Sequence, residues 1–325
     1  MSFTRRHFHQ LSLSTISALP GASLAQAYPS RRISIVVGAG PGGGADLVAR
    51  LFAHKLSERL GQPVTVDNKP GASAALAVSF VMGTPPDGHT ILLSGSSPLV
   101  IRPHVVKAVP YDSARDLTPV AKLASWPLVL VTSATVPATN ATELVIWLKA
   151  QKGKVNYASN GIGGGYQLAT ELFKTRTGVD MTHIPYNAGD GAMLQSLLSG
   201  ETQIAFIALF TALPHIKSGS LKAYGVTAPQ RALLAPQIPP LSDLLPGFVM
   251  MPWYGIFLPA RAQTSVVQRL NAETNSILGD PDFGKRLGEL GTALDGGTPE
   301  RLADLVKSDL KLYGDIVKAA NIPQE

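Results

Sequence analysis

Cysteine is absent from the 325 residues of this chain. The chain therefore forms no disulfide, offers no thiol nucleophile and binds no metal through a thiolate. Seven histidines are present, but no His-Glu-x-x-His or EF-hand spacing occurs, so the sequence predicts no metal site. Charged residues make up only 15% of the chain, and its lysines and arginines do not cluster with aromatic residues. A nucleic-acid partner is therefore not expected, despite the formal net charge of +6.

Long hydrophobic runs are also missing, since no apolar stretch approaches the roughly 20 residues needed to cross a bilayer. The N-terminus instead has the pattern of an export signal. Thr4-Arg5-Arg6-His7-Phe8 is followed by a weakly apolar stretch from Leu11 to Leu24 and by the small-x-small sequence Ala25-Gln26-Ala27. The adjacent arginines followed by Phe8 fit a twin-arginine signal. The sequence predicts a signal over residues 1–27 and a mature, periplasmic protein that begins at Tyr28.

A glycine-rich turn, Gly38–Gly44, is the strongest local signal in the mature chain. It follows the β-branched run Ile33–Val37, which is typical of a buried parallel strand, and it leads into a helix with apolar periodicity. The first amides of a helix lack intrahelical partners and carry a partial positive charge, so such a turn attracts phosphate or carboxylate. The turn therefore predicts a site for an acidic ligand.

Two interpretations of this turn stay open on the residues alone. Gly38, Gly40 and Gly43 match G-x-G-x-x-G between a strand and a helix, which is the dinucleotide fingerprint and favours an oxidoreductase. Asp67 follows the next predicted strand, but it lies 24 residues beyond Gly43, against roughly 20 in the fingerprint. The second interpretation is a glycine-rich turn without a cofactor.

The rest of the chain alternates between strand-like and helix-like segments. Further strands are predicted at Val64–Val66, Thr90–Ser94, Val120–Leu123, Leu128–Thr132, Asn156–Ser159, Met181–Ile184, Ile204–Phe206, Leu221–Val226 and Gly255–Leu258. Helices are predicted at Thr142–Ala150, Tyr166–Thr177 and Gly189–Ser199, with a long C-terminal pair from Thr264. This order predicts an α/β protein with parallel sheets covered on both faces.

Two connections are expected to divide the chain into two Rossmann-like lobes. A boundary is expected near Trp126-Pro127 and a return near Pro252-Trp253-Tyr254. Lobe 1 would comprise residues 28–126 and 253–325, and lobe 2 residues 127–252, with a hinge and a cleft between them. Ligands in open α/β sheets bind at the carboxyl ends of the strands. The loops expected at the cleft are Gly38–Gly44, Ser94–Pro98, Asn160–Tyr166 and Pro185–Asp190.

Catalytic patterns are weak. Ser96 lies in Ser-Gly-Ser-Ser-Pro, which lacks the Gly-x-Ser-x-Gly elbow that exposes a nucleophile. His183 falls within a predicted strand, and no acid and base pair is apparent. The residues therefore do not predict an enzyme.

The order of short motifs along essentially all of the mature chain resembles the Bug-type receptors, the periplasmic solute-binding proteins of tripartite tricarboxylate transporters. No single motif is specific, but their order and spacing together are. The motifs are Tyr28-Pro29, Pro41-Gly42-Gly43 with Ala45-Asp46, Leu60-Gly61-Gln62-Pro63-Val64, Asp67-Asn68-Lys69-Pro70-Gly71-Ala72, Pro86-Asp87-Gly88-His89-Thr90, Tyr111-Asp112, Asp116-Leu117-Thr118-Pro119-Val120, His183-Ile184-Pro185-Tyr186, Ala212-Leu213-Pro214-His215-Ile216-Lys217-Ser218-Gly219 and Gly296-Gly297-Thr298-Pro299-Glu300.

The resemblance implies a two-lobed flytrap that closes on a small organic acid, without catalytic residues, cofactor or metal. It implies a monomer whose partners are membrane transporter subunits or a sensor protein. One ligand carboxylate would meet the first turn, and the other end of the ligand would meet lobe 2. The ligand-binding residues so predicted are Ala39, Gly40, Pro41, Gly42, Ser94, Gly95, Ser96, Ser97, Asn160, Gly163, Gly164, Gly165, Tyr166, Tyr186, Asn187 and Ile207.

Three departures from the family pattern bear on the ligand. Gly164-Gly165-Tyr166-Gln167, Tyr186-Asn187-Ala188 and Phe206-Ile207-Ala208 replace a more polar set, and the last of them lacks a fixed carboxylate. The sequence therefore favours a monocarboxylate with an apolar or aromatic body. The alternative function is an exported flavin- or nicotinamide-dependent oxidoreductase that uses the Gly38–Gly43 turn.

Overall fold

A computed structural model describes residues 28–186, 190–289 and 291–324. The predicted export signal and Asn187 lie outside these residues. Within the described chain, no helix combines the length and the apolar character needed to cross a membrane.

Eleven strands and ten α-helices are described, and they include every strand that the sequence predicts. The strands are β1 (Ile33–Val37), β2 (Val64–Asn68), β3 (Thr90–Gly95), β4 (Leu117–Ser125), β5 (Leu128–Ser133), β6 (Asn156–Ser159), β7 (Thr182–Pro185), β8 (Ile204–Ala208), β9 (Leu221–Val226), β10 (Trp253–Pro259) and β11 (Ala293–Leu294).

The helices cover both sheets. They are α1 (Gly44–Leu60), α2 (Ala75–Met82), α3 (Arg102–Val105), α4 (Ala141–Gln151), α5 (Gly165–Thr177), α6 (Asp190–Ser199), α7 (Leu209–Lys217), α8 (Thr264–Leu278), α9 (Pro281–Glu289) and α10 (Pro299–Ala319). The predicted C-terminal pair is therefore three helices, because Gly279 ends α8 and a new helix begins at Pro281.

The strands form two sheets, one of six strands in the order β11-β4-β10-β3-β1-β2 and one of five in the order β7-β6-β8-β5-β9. The first sheet contains β1 to β4, β10 and β11. The second contains β5 to β9. The chain therefore leaves the first sheet after β4 and returns to it at β10.

The expectation of parallel sheets is wrong, because both sheets are mixed. β1 pairs in parallel with β2 and β3, but β10 is antiparallel to β3 and β4, and β5 is antiparallel to β8 and β9. The cause is the double connection. β4 ends where the chain crosses and β10 begins where it returns, so β10 must run in the opposite direction to the strands beside it.

The two connections lie side by side. The backbone amide of Trp126 donates a hydrogen bond of 3.1 Å to the carbonyl of Pro252. One continuous cluster of buried apolar residues extends from the inner face of the first sheet to the second sheet, and a separate cluster fills the other face of the first sheet. The two sheets are therefore joined at the pair of crossings. The carboxyl ends of β1, β3 and β6 face the space between the two sheets.

Candidate functional site

A cavity of about 240 Å³ lies between the two sheets, at the carboxyl ends of β1, β3 and β6. This is the position at which open α/β sheets bind ligands. Pockets for drug-sized ligands are larger, roughly 300–1,000 Å³, so this cavity suits a small metabolite. Eight of the predicted residues line it: Ala39, Ser94, Gly95, Ser96, Ser97, Asn160, Gly165 and Tyr166.

The glycine turn at one end of the cavity is held by a buried acid on α1. Asp46 is 1% exposed. Its Oδ2 accepts hydrogen bonds of 2.9 Å from the backbone amide of Gly42 and from Nε of Arg50. Asn68, at the end of β2, donates both to Oδ1 of Asp46 and to the carbonyl of Ala39. The hydrogen bond from Arg50 is the main reason that the pKa of Asp46 falls from its ordinary value to about 2. The turn is therefore fixed before any ligand arrives.

The start of α1 is open toward the cavity. Its N-cap residue is Gly43, which has no side chain to bond the first amides, and Ala39 and Ala45 on either side of it line the cavity. Because uncapped first-turn amides carry partial positive charge, they attract an anion.

A segment with unusual backbone geometry packs against the same turn. Ala72, Ser73 and Ala74 all have positive φ, which is uncommon for residues other than glycine. Ala74 lines the cavity and touches the turn so closely that a Cβ at Gly38 would lie 2.1 Å from the Ala74 Cβ. Gly38 therefore serves close packing against Ala74.

The serine-rich end of β3 forms the next part of the wall. It runs into a π-helical turn, Ser97–Ile101, a feature common at functional sites. Tyr111 and Ser113 donate hydrogen bonds of 2.7 Å to the carbonyls of Pro98 and Leu99 in this turn. Neither the Ser94 nor the Ser96 hydroxyl bonds another described residue, so both are free to bind a ligand in the cavity.

Two tyrosines, Tyr166 and Tyr254, form another part of the wall, and an acid that does not line the cavity lies behind Tyr166. Tyr166, in the first turn of α5, donates its hydroxyl proton to Oδ2 of Asp190 at 2.9 Å. Burial raises the pKa of Asp190. Burial, with a smaller contribution from the charge of Asp190, raises the pKa of Tyr254 to about 12. Tyr166 and Tyr254 are therefore neutral hydroxyls near neutral pH.

Aromatic rings make up much of the remaining wall. The rings of Trp126 and Tyr254 lie 4.7 Å apart at the two chain crossings. Trp253 is fully buried and donates its indole N–H to Asp309 of α10 at 2.8 Å, so it joins the first sheet to this helix. Among the described residues that line the cavity, none is a lysine, arginine, histidine or acid. The cavity therefore binds through amides, hydroxyls and apolar surface.

The other predicted residues lie away from this wall. Gly42 and Gly163 use their amides within the protein, on Asp46 and on Oε1 of Gln167 respectively. Ile207 is fully buried in β8, where it pairs with Val129. Gly40, Pro41, Gly164 and Tyr186 are near the cavity in sequence but do not line it. Asn187 is outside the described residues.

The structure adds wall residues that the loop analysis missed. They include Ala45, Ala74, Trp126, Met250, Tyr254 and Tyr313. Trp126 and Tyr254 carried a signal, since both lie at the predicted crossings. Met250 and Tyr313 carried none, because they come from a loop and from α10 far along the chain.

One pair resembles a catalytic arrangement. The Ser159 hydroxyl lies 2.6 Å from Nε2 of His183. Ser159 is fully buried, also bonds the backbone of Gly161, and does not line the cavity. The pair therefore orders the end of β6. Among the described residues, no three His, Asp or Glu side chains converge as a metal site requires.

Comparison with protein families gives a consistent result. The family model described as the tripartite tricarboxylate transporter family receptor matches residues 48–322. A UPF0065 protein from the tcbD-tcbE intergenic region of Pseudomonas sp. strain P51 is 35% identical over 315 residues, which are 96% of this chain and 93% of that protein. Protein BugT of Bordetella pertussis is 32% identical over 296 residues, 90% of each chain.

Solved structures show the same architecture. Rpa4515 of R. palustris with adipate is similar over 92% of this chain and 100% of its own, with a TM-score of 0.79 and 29% identity. MatC (Rpa3494) from Rhodopseudomonas palustris with bound malate is similar over 89% of this chain and 100% of its own, with a TM-score of 0.75 and 30% identity.

Proposed function

The chain belongs to the tripartite tricarboxylate transporter receptor family, and on this premise we propose that it captures one small organic carboxylate in the cavity between its two sheets. The mature protein would act in the periplasm and deliver the ligand to a membrane transporter of the same type. A sensor protein is the other partner that a closing receptor would suit.

The observation that best supports this proposal is that α1 begins at the cavity wall without a side-chain cap. The first amides of this helix have no side-chain cap, and Ala39 and Ala45 border them on the cavity wall. One helix terminus contributes only about 0.3–1 kcal/mol to anion binding. The nearby Ser94 and Ser96 hydroxyls must therefore also donate hydrogen bonds to the carboxylate. Carboxylates bound by two similar proteins, adipate and malate, support the same chemical class.

The apolar walls of the cavity narrow the class of carboxylate that fits it. Trp126, Tyr254 and Met250 line the cavity, and no basic residue is among the described residues of its wall. A second carboxylate would lack a cation there. The cavity therefore favours one carboxylate on an apolar or aromatic body.

Capture would proceed by closure of two lobes. We assign residues 28–126 and 253–325 to lobe 1 and residues 127–252 to lobe 2. The adjacent crossings at Trp126 and Pro252 support a hinge there, since these are the two points at which the backbone passes from one sheet to the other. Ligand contacts made only in the closed state would then drive closure.

The oxidoreductase alternative is not favoured. The family model that matches residues 48–322 describes receptors of a transporter, and two similar solved structures hold carboxylates. Asp67, the candidate ribose ligand, pairs with Lys69 at 3.1 Å and does not line the cavity. We therefore infer a receptor that binds its ligand without chemical change.

Native mass spectrometry and an absorbance spectrum of the protein purified from the periplasm test this proposal. The expected result is a colourless protein that carries a small organic acid at one copy per chain. After unfolding and refolding to remove that acid, its addition should raise the melting temperature. A yellow protein with a stoichiometric dinucleotide would support the oxidoreductase instead.

A further inference from the structure

The hydroxyl of Tyr254 lies beside the first residue of α1. Tyr254 belongs to β10, at which the chain returns to the first sheet, and it lines the cavity. A Cβ at Gly44 would lie 3.4 Å from the hydroxyl oxygen of Tyr254. The oxygen is therefore close to the helix start at which a ligand carboxylate would bind.

The first amides of α1 are available at this point. Among the described hydrogen bonds, none is donated by the backbone amides of Gly44, Ala45 or Asp46. The amide of Gly42, just before them, is already used because it donates to Asp46. The Tyr254 hydroxyl therefore lies next to the amides that a bound anion would use.

The hydroxyl of Tyr254 is itself available as a donor. No described residue forms a hydrogen bond with it. Its oxygen is also not one of the buried, unpaired side-chain atoms of the described chain, which belong to His89, Arg102, His104 and Tyr186. The oxygen is therefore open to the cavity that the ring lines. The hydroxyl keeps its proton near neutral pH, because burial raises the pKa of Tyr254 to about 12.

Tyr254 differs in this respect from Tyr166 on the same wall. Tyr166 already donates its hydroxyl proton to Asp190 at 2.9 Å. The ring of Tyr254 is held by packing, since it lies 4.7 Å from the ring of Trp126 and a Cβ at Gly95 would lie 3.2 Å from its Cε1. The position of the free hydroxyl beside α1 is therefore fixed before a ligand binds.

We propose that Tyr254 is a specificity-determining residue that donates its hydroxyl proton to the ligand carboxylate at the start of α1. The carboxylate would then receive hydrogen bonds from the helix amides and from a hydroxyl that β10 supplies. The proposal deepens, and rests on, the proposed function.

The physical reason is the cost of burying a carboxylate where no cation compensates it. The described wall contains no lysine, arginine or histidine, so directed neutral donors must replace the water that the carboxylate loses. Hydrogen bonds to a charged acceptor are stronger than those to a neutral one. Tyr254 should therefore make the cavity prefer a carboxylate over the corresponding amide, while its ring offers apolar surface to the rest of the ligand.

Isothermal titration calorimetry on refolded, ligand-free protein tests this preference with two acids, benzoate and hexanoate, and their amides, benzamide and hexanamide. The amides keep the apolar body and lose the charge. Tyr254→Phe keeps the ring and removes only the hydroxyl. It should weaken the binding of both acids about ten- to a hundredfold and the binding of the amides only about two- to tenfold, so that the preference for the acid falls.

Tyr28→Phe is the matched control. It also removes one hydroxyl, but this hydroxyl lies before the amino end of β3, where it donates to the carbonyl of Gly88 at 2.8 Å. Tyr28 does not line the cavity. The control should therefore leave all four affinities within about twofold of the wild type. Circular dichroism checks that both variants fold.

Nuclear magnetic resonance of the protein labelled with carbon-13 at the tyrosine Cζ atoms reads the hydrogen bond directly. Saturating hexanoate is the probe, because it has no aromatic ring whose ring current would shift the signals. It should shift the signal that is absent from Tyr254→Phe and leave the Tyr28 signal unchanged.

The outcomes are distinguishable. The proposal is overturned if Tyr254→Phe binds the acids as tightly as the wild type, if its loss of affinity is equal for acids and amides, if hexanoate does not shift the Tyr254 signal, or if neither acid binds the wild type. In each of these cases the proposed function still stands when the protein from the periplasm carries a carboxylate. A protein that carries no carboxylate removes both.

Discussion

Asp46 shows how a single residue shapes the site without lining it. Its carboxylate receives hydrogen bonds from Gly42, Arg50 and Asn68, and so joins the glycine turn to α1 and β2. An uncharged carboxyl could not accept all of these bonds, because its proton occupies one oxygen. The geometry of the turn is therefore linked to the ionisation of one buried group.

This linkage predicts a dependence of stability on pH. The pKa of Asp46 is lowered to about 2 in the folded protein, so its contribution is complete above the unfolded value near 3.9 and is lost as the pH falls toward 2. With Arg50 half exposed, the loss should be about 1–2 kcal/mol in the free energy of unfolding. Urea unfolding at pH 5.5 and pH 2.5 measures it.

Other carboxyls also titrate in this range, so the comparison must be made with Asp46→Asn. The difference in unfolding free energy between the wild type and this variant should shrink as the pH falls. A difference that is equal at both pH values would show that Asp46 does not stabilise the fold through its charge.

At the scale of elements, the important contact joins the glycine turn to the segment before α2. Gly38 and Ala74 meet there, and Ala72 to Ala74 keep a left-handed backbone that is strained for residues other than glycine. This contact closes one end of the cavity. It also explains why glycine is needed at position 38, which the sequence motif alone does not show.

Substitutions at the two glycines of the turn should therefore differ. Gly38→Ala places a methyl group against Ala74 and should cost about 1–3 kcal/mol of stability, with weaker ligand binding. Gly40→Ala is the control, because nothing lies within 4 Å of its added Cβ. Thermal and urea unfolding, with calorimetric titration of the natural ligand, measure the two effects.

A compensating change makes this prediction specific. Ala74→Gly removes both the methyl group that would clash and a left-handed residue with a side chain. Combined with Gly38→Ala, it should restore only part of the lost stability and binding, because the added Cβ would still lie 2.6 Å from the Ala74 Cα. If the double variant is as unstable as Gly38→Ala, the methyl group of Ala74 is not the main cause of the loss.

At the scale of the whole molecule, contacts between the two sheets' helices and loops decide how the cavity is enclosed. Phe210 of α7 packs against Gly291, close enough that a Cβ at Gly291 would lie 2.0 Å from the Phe210 Cβ. Gly163 packs against Val105 in the same way. Neither Phe210 nor Gly291 lines the cavity. Such contacts can favour a closed arrangement without touching the ligand.

Phe210→Ala should therefore weaken ligand binding from a distance. Loss of about 0.5–1.5 kcal/mol of closed-state packing corresponds to roughly a two- to tenfold lower affinity. Ile146→Ala is the control, since Ile146 is an exposed apolar residue of α4. Calorimetry measures the affinity, and small-angle X-ray scattering measures whether the ligand still compacts the variant. An unchanged affinity in Phe210→Ala would exclude a role for this contact in closure.

The sequence by itself determined the strands, the glycine turn and the order of motifs that identifies the family. β1 and β6 begin and end where their residue patterns predict, because β-branched runs and glycine turns act through local backbone preferences. The expectation that the chain crosses twice could also be reached from local signals at Trp126 and Pro252. These features depend on neighbours in sequence.

Only the tertiary structure decided the directions of β5 and β10, the membership of the cavity wall and the position of Asp190. Met250, Tyr254 and Tyr313 line the cavity although they are far in sequence from Ala39. Their convergence depends on how the two sheets meet at the double crossing. A local sequence pattern does not determine the distance between residues so far apart in the chain. The chemistry that distinguishes one carboxylate from another therefore arises from contacts between segments that only the folded chain brings together.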